Sequence, residues 1–508
     1  MKKMNKLLAL VLAMVMVLGL AASAFADGEE TQPTTYSITI NNSAEGHTYE
    51  AYQIFTGDLS GTTLSNIVWG SGISEAGQTA LGIAATKAET LKTEANAKAF
   101  AKEVAPYLAT VAGSASTVND GKYVISGLAA GYYLVKDQDG SLTGDNDSYT
   151  EYIVKVVSNT TATPKSDVPT VQKKVKDINN STDDAMTDWQ DSADHDIGDS
   201  VPFQLKATLA DNVSSYTTYK VVFHDTQSKG LTYNNDAKVY IDNAEKTTDF
   251  TVTATVNADG TTTLTVSCND VKVLGAGNSS VITVEYTATL NTDAVLGSAG
   301  NPNEVYLEYS NNPNKSESGE NETGNTPKDV VIVFTYKTII SKVTKNPDYD
   351  PDVEGSKEYI PLTGAEFTLE KYNKESNEWE AITVVKNNEG TTFTFTGLDD
   401  GNYRLTETKT PAGYNSIDPI EFTVTAEHDV LSDSPALTSL SGNATTGELT
   451  FTSNTTEGSL SADVVNKSGS TLPETGGIGT TIFYVLGGML VVCAVVLMVS
   501  KKRMSAEG

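Results

Sequence analysis

Apolar and polar residues alternate with a period of two through most of the chain, as in Tyr36-Ser-Ile-Thr-Ile40 and Tyr152-Ile-Val-Lys-Val-Val157, and again over 217–223, 261–267 and 281–287. Such alternation predicts β-strands with one buried face. Asn, Asp and Gly clusters fall between the strands and predict turns. One stretch breaks the pattern. From 75 to about 108 the chain is rich in Ala, Lys and Glu, with apolar residues three and four apart, which predicts a helical interruption. Pro164 and Pro169 bracket a short linker, and the polar run around 311–322 has nothing to pack. These breaks divide the chain into 27–165, 166–335 and 336–469.

The two ends carry a different pattern. Lys2, Lys3 and Lys6 precede an apolar run and then Ala24-Phe25-Ala26, the three regions of a secretory signal cleaved after Ala26. Near the other end, 480–500 is a nearly uncharged stretch of about 20 residues, enough to cross a bilayer. Lys501-Lys502-Arg503 follows and stays on the cytoplasmic side, which puts everything before 480 outside the cell. Just before the span stands Leu472-Pro473-Glu474-Thr475-Gly476. Pentapeptide, apolar segment and basic tail together resemble the LPXTG cell-wall sorting signal of Gram-positive bacteria. The resemblance implies that a sortase cleaves after Thr475, makes Thr475 the acyl donor and discards 476–508, so that 470–508 is a sorting signal.

Composition then narrows the class. Residues 27–475 hold 29 basic and 64 acidic residues, a formal charge of −35, which repels nucleic acid and anionic lipid. Of the two cysteines, Cys493 lies in the discarded segment, so Cys268 has no partner in the mature chain and any covalent staple must be another kind. Short strands at regular spacing in an exported chain predict an all-β fold of tandem immunoglobulin-like β-sandwich domains, with a helical insertion in the N-terminal one.

In the third unit, Tyr403-Arg-Leu-Thr-Glu-Thr-Lys-Thr-Pro-Ala-Gly-Tyr414, preceded by Leu362-Thr-Gly-Ala-Glu-Phe367, resembles the E-box of Cna-B type pilin domains. The resemblance implies a Lys on the first strand and an Asn on the last, joined side chain to side chain beside a buried Glu: Lys342, Asn466 and Glu407. Chemistry explains the three types. A lysine amine, ordinarily of pKa about 10.4, becomes a nucleophile when burial removes the hydration of its charge. Burial pushes a carboxyl the other way, so an acid beside the amide can hold a proton. Alternation in phase with Ile340 turns Lys342 inward; by itself that also fits an ordinary buried Lys–Glu pair.

The second unit offers a similar set. Val171, Lys173 and Val175 alternate on one face, and the run from Asn303 to Pro313 resembles the last strand of backbone-pilin middle domains. The resemblance implies a Lys173–Asn303 bond with Asp225 as the acid; Lys174 is the adjacent alternative. A further lysine, Lys165 in Ala162-Thr-Pro-Lys165, stands where pilus shaft subunits carry the lysine that accepts the Thr acyl group of a neighbour, with Thr163 in place of the usual tyrosine.

The resulting expectation is a structural backbone subunit of a sortase-assembled pilus, joined Thr475 to Lys165, with a cell-wall-anchored monomeric adhesin as the alternative. Expected partners are sortase, neighbouring identical subunits and cell-wall peptidoglycan, with room for minor pilins and surface ligands, and no nucleic acid. No cofactor is expected. Asp137, Asp139, Asp145 and Asp147 fall short of a calcium loop, because Gly140 is at the fourth position, not the sixth. His47, His195, His224 and His428 lack metal-binding spacing, and no nucleophile-base constellation is evident.

Overall fold

The alternating runs form strands whose apolar faces meet in sandwiches, as in Val281–Leu290, where every second residue is buried. The computed structural model describes residues 34–469, apart from 143, 165–166, 183–185, 317–321, 383 and 387–389, together with helical stretches between 485 and 498. The predicted signal peptide, Lys165, the 472–476 pentapeptide and much of 480–500 lie outside the described residues. Among those described, no helix is long and apolar enough to cross a membrane.

In the N-terminal unit a three-stranded sheet, Lys122–Leu128, Tyr36–Asn41 and Thr160–Ala162, faces a five-stranded sheet built on Tyr49–Ser60 and Gly131–Asp137. Between them Ile38, Ile40, Tyr49, Tyr123 and Val135 form one core. The helical insertion is three short helices, Glu75–Leu81, Ala84–Thr90 and Glu94–Val104, where the sequence suggested one interruption. Gly82 closes the first at φ +86°, and Thr93 opens the third by accepting from the Asn96 N–H. The third buries Phe100, Ala101 and Val104 in a second core with Ile54 and Phe55.

The middle unit is a larger sandwich. Its seven-stranded sheet sets Asp329–Phe334, Asn301–Ser310 and Val221–Gln227 side by side; its six-stranded sheet runs from Val281–Leu290 through Ser200–Thr208 to the edge strand Thr170–Val175. The C-terminal unit pairs its first strand, Tyr336–Lys345, with its last, Ser459–Val465, in parallel, and packs that sheet on one containing Glu366–Asn373, Gly401–Lys409 and Ile420–His428.

The units touch through defined contacts. The acidic loop before Thr150 docks on the middle unit: Tyr309 Oη donates to the Asp147 carbonyl at 2.9 Å, and Asn311 Nδ2 to the Asp147 side chain at 3.1 Å. Gly297 of the middle unit and Gly458 of the C-terminal unit, both at positive φ, approach so closely that a Cβ on either would sit 2.3–2.4 Å from backbone of the other.

Candidate functional site

Two buried lysines, each facing an acid and an asparagine, lie one in each of the two larger sandwiches. In the C-terminal unit, Lys342 is the seventh residue of the first strand and turns inward with Tyr336, Thr338 and Ile340. The parallel pairing sets Lys342 opposite Val464 and brings Asn466, just past the last strand, alongside. Glu407 reaches in from the opposite sheet, and neither its side chain nor that of Lys342 is exposed. Lys342 Nζ contacts Asn466 Oδ1 directly and lies 3.2 Å from Glu407 Oε1. Asn466 Nδ2 donates to both Glu407 oxygens, at 3.0 and 3.2 Å, and Thr410 Oγ1 donates to Oε2 at 3.1 Å. The carboxyl therefore faces the amide nitrogen of Asn466 and not its carbonyl oxygen. Burial, against the pull of Glu407, pushes the Lys342 amine below its ordinary pKa, and the Phe367 ring covers it at 5.3 Å.

In the middle unit the partition is reversed. Lys173 comes from the edge strand of one sheet, whereas Asp225 and Asn303 stand on adjacent strands of the other, with Gln227 in register with Asn303. Lys173, Asp225 and Asn303 are all fully buried. Lys173 Nζ contacts Asp225 Oδ2 and donates to Tyr286 Oη at 3.1 Å. Tyr286 Oη donates to Asp225 Oδ1 at 2.9 Å and accepts from Asn303 Nδ2 at 2.8 Å, so the tyrosine stands between lysine and asparagine. Asn303 Oδ1 is buried without a partner among the described residues. Burial pushes the Lys173 amine down and the Asp225 carboxyl up, opposing the attraction between them; a neutral pair needs less hydration than a charged one. The neighbouring Lys174 points the other way, into a half-buried ion pair with Asp191.

Tyr286 and Gln227, whose Nε2 reaches Asp225 Oδ1 at 3.4 Å, were absent from the sequence reading, as was Thr410. The inward phase of Tyr286 in Val281–Leu290 was visible, but alternation cannot say which inward tyrosine meets a lysine from the other sheet. Cys268 is half-buried and has no disulfide partner among the described residues. Asp137 and Asp147 serve other ends: Asp137 binds His47 at 2.7 Å and both donors of Thr150, while Asp147 holds Asn311.

Known families match in the same order. Residues 197–313 match the Gram-positive pilin backbone subunit 2, Cna-B-like domain; residues 353–434 match a prealbumin-like fold domain; and residues 464–505 match the LPXTG cell wall anchor motif. The trypsin-resistant surface T6 protein of Streptococcus pyogenes serotype M6 is 25% identical, over 92% of this chain and 95% of that protein. The solved T6 backbone pilin of the same serotype shares the fold with a TM-score of 0.54 and 19% identity, covering 87% of this chain and all (100%) of that one. The major pilin SpaD of Corynebacterium diphtheriae aligns at a TM-score of 0.47 and 16% identity, over 86% of this chain and 98% of that one. A backbone-pilin domain, a prealbumin-like domain and a cell-wall anchor motif thus follow one another along a single all-β chain, the make-up of a structural backbone subunit of a cell-wall-anchored surface pilus.

Proposed function

We propose that this subunit is polymerised through an amide between Thr475 and Lys165 of its neighbour, and that Lys342–Asn466 and Lys173–Asn303 isopeptide bonds reinforce 336–469 and 166–335, each unit acting as one domain. The direct contact of Lys342 Nζ with Asn466 Oδ1, with Glu407 3.2 Å from the amine, carries the reading.

The chemistry closes within each site. The lysine ammonium gives a proton to the adjacent carboxylate, and the free amine attacks Cγ of the asparagine. The carboxyl, hydrogen-bonded to Nδ2 at the Glu407 site, hands its proton to the departing nitrogen. The Cγ–Nδ2 bond breaks and ammonia leaves, the surplus Nζ proton returns to the carboxylate, and a Nζ–Cγ amide remains. Each bond forms once, so the subunit promotes its own cross-linking without turnover. In the middle unit Asp225 takes the role of Glu407, with Tyr286 relaying between amine and amide.

Intact mass of the purified ectodomain checks the internal bonds, each of which removes one ammonia; an unmodified mass refutes both. For the joint between subunits, Lys165→Ala should abolish the SDS-resistant ladder of a pilus-producing strain. A ladder that persists removes Lys165 from the role.

A further inference from the structure

Where the middle unit meets the C-terminal unit, a cluster of ionisable side chains stands apart from both lysine sites. Asp177 follows the strand Thr170–Val175, Asp194 ends Ser192–Asp194, and His428 ends Ile420–His428. One atom of each lies within 4.8 Å of the others. Two carboxylates thus come from one unit and an imidazole from the next.

Ser192 fixes the imidazole tautomer. Its hydroxyl donates to the Asp429 carbonyl at 2.7 Å and has no second proton, so its 2.8 Å contact with His428 Nδ1 requires Nδ1–H to donate. Nε2 is left facing Asp194 Oδ1 at 3.4 Å and Asp177 Oδ2 at 3.7 Å. Those separations are longer than a charge-assisted N–H···O bond of about 2.7–2.9 Å. They are close to the spacing of roughly 3.3–3.5 Å that ligand atoms adopt around a tetrahedral ion with bonds of about 2.0–2.2 Å. The remaining Asp194 oxygen is already oriented, accepting from the Asp400 backbone N–H at 3.1 Å.

A second observation points into the same space. Tyr336 Oη is buried, 1% exposed as a residue, and makes no hydrogen bond of ordinary length among the described residues, although it lies next to the Asp194 carboxylate. The phenol O–H stands beside the Asp194 carboxylate and can donate to a water on an ion held there.

The geometry points to a zinc-class divalent cation site made by Asp177, Asp194 and His428, bridging the middle and C-terminal units. One nitrogen and two carboxylate oxygens suit zinc, with a fourth position left for water under Tyr336. Such an ion would tie the two units at their joint, a place that neither lysine site reaches, and it stands whether or not the isopeptide bonds form.

Zinc chloride titrated calorimetrically into the chelator-dialysed mature pilin tests this. The expected result is one zinc per chain, abolished by Asp177→Asn and by His428→Gln, and weakened about 10-fold by Ser192→Ala, which releases the ring without removing a ligand. Circular dichroism confirms that each variant is folded. Should His428→Gln fail to fold, Ser192→Ala and Asp177→Asn carry the test. Absence of zinc binding by the wild-type protein, or affinity unchanged in the folded variants, overturns the site.

Discussion

The two lysine sites use the same three kinds of side chain but divide them differently between the sheets. In the C-terminal unit lysine and asparagine share a sheet and the acid comes from across the core; in the middle unit acid and asparagine share a sheet and the lysine crosses. The first arrangement leaves lysine and asparagine in contact, whereas the second places Tyr286 between them. What the two have in common is the environment: a dry core that disfavours the ammonium, and a carboxyl close enough to take its proton. The proposed chemistry therefore asks for burial and proximity, not for one strand topology.

The largest effect should separate the sites most sharply. Asp225→Ala should prevent the Lys173–Asn303 bond and also strand a buried lysine. We expect a loss of about 4–5 kcal/mol from the missing loop closure, if disulfide chain entropy transfers, and about 3–5 kcal/mol from the unpaired charge. Denaturant unfolding with intact mass reads both, and an unchanged mass would mean that Asp225 is not the acid. Glu407→Gln keeps shape but cannot take the proton, so it should cost the C-terminal unit the closure term of about 4–5 kcal/mol, plus a smaller charge penalty than Asp225→Ala because the glutamine amide can still accept from buried Lys342; mass and melting of that unit report it.

Tyr286→Phe probes the residue that distinguishes the sites. Formation of the middle bond should slow by about 10²-fold, as expected for loss of a proton-transfer partner, while the C-terminal bond forms normally. Time-resolved mass after refolding measures this, and equal rates would make Tyr286 a packing residue. Lys174→Ala, which removes a half-buried pair with Asp191, should cost no more than about 1 kcal/mol and leave the mass loss intact.

The sandwiches and both lysines were legible because strand alternation has a strict period: Lys342 keeps phase with Ile340, and Lys173 with Val175, and all four are buried. That same phase separates Lys173 from Lys174, since a shift of one residue turns a side chain to the other face. The helical insertion was visible in composition but not its breaks, which depend on local caps at Gly82 and Thr93. Tyr286 was hidden because its contacts cross the core. The cluster of Asp177, Asp194 and His428 was hidden more deeply. The scattered histidines looked unrelated to any ligand, and only the docking of one unit on the next brings this one to two carboxylates.

The parallel pairing of first and last strands in the C-terminal unit has a mechanical meaning of its own. A pull on the chain enters at the start of Tyr336–Lys345 and leaves at the end of Ser459–Val465, so the two forces act at opposite ends of one ladder. The residue pairs from Lys337–Ser459 to Val343–Val465 are then loaded together in shear and cannot open one after another like a zip. A freshly exported subunit can on this account resist tension with backbone hydrogen bonds alone, before any side-chain chemistry has run its course.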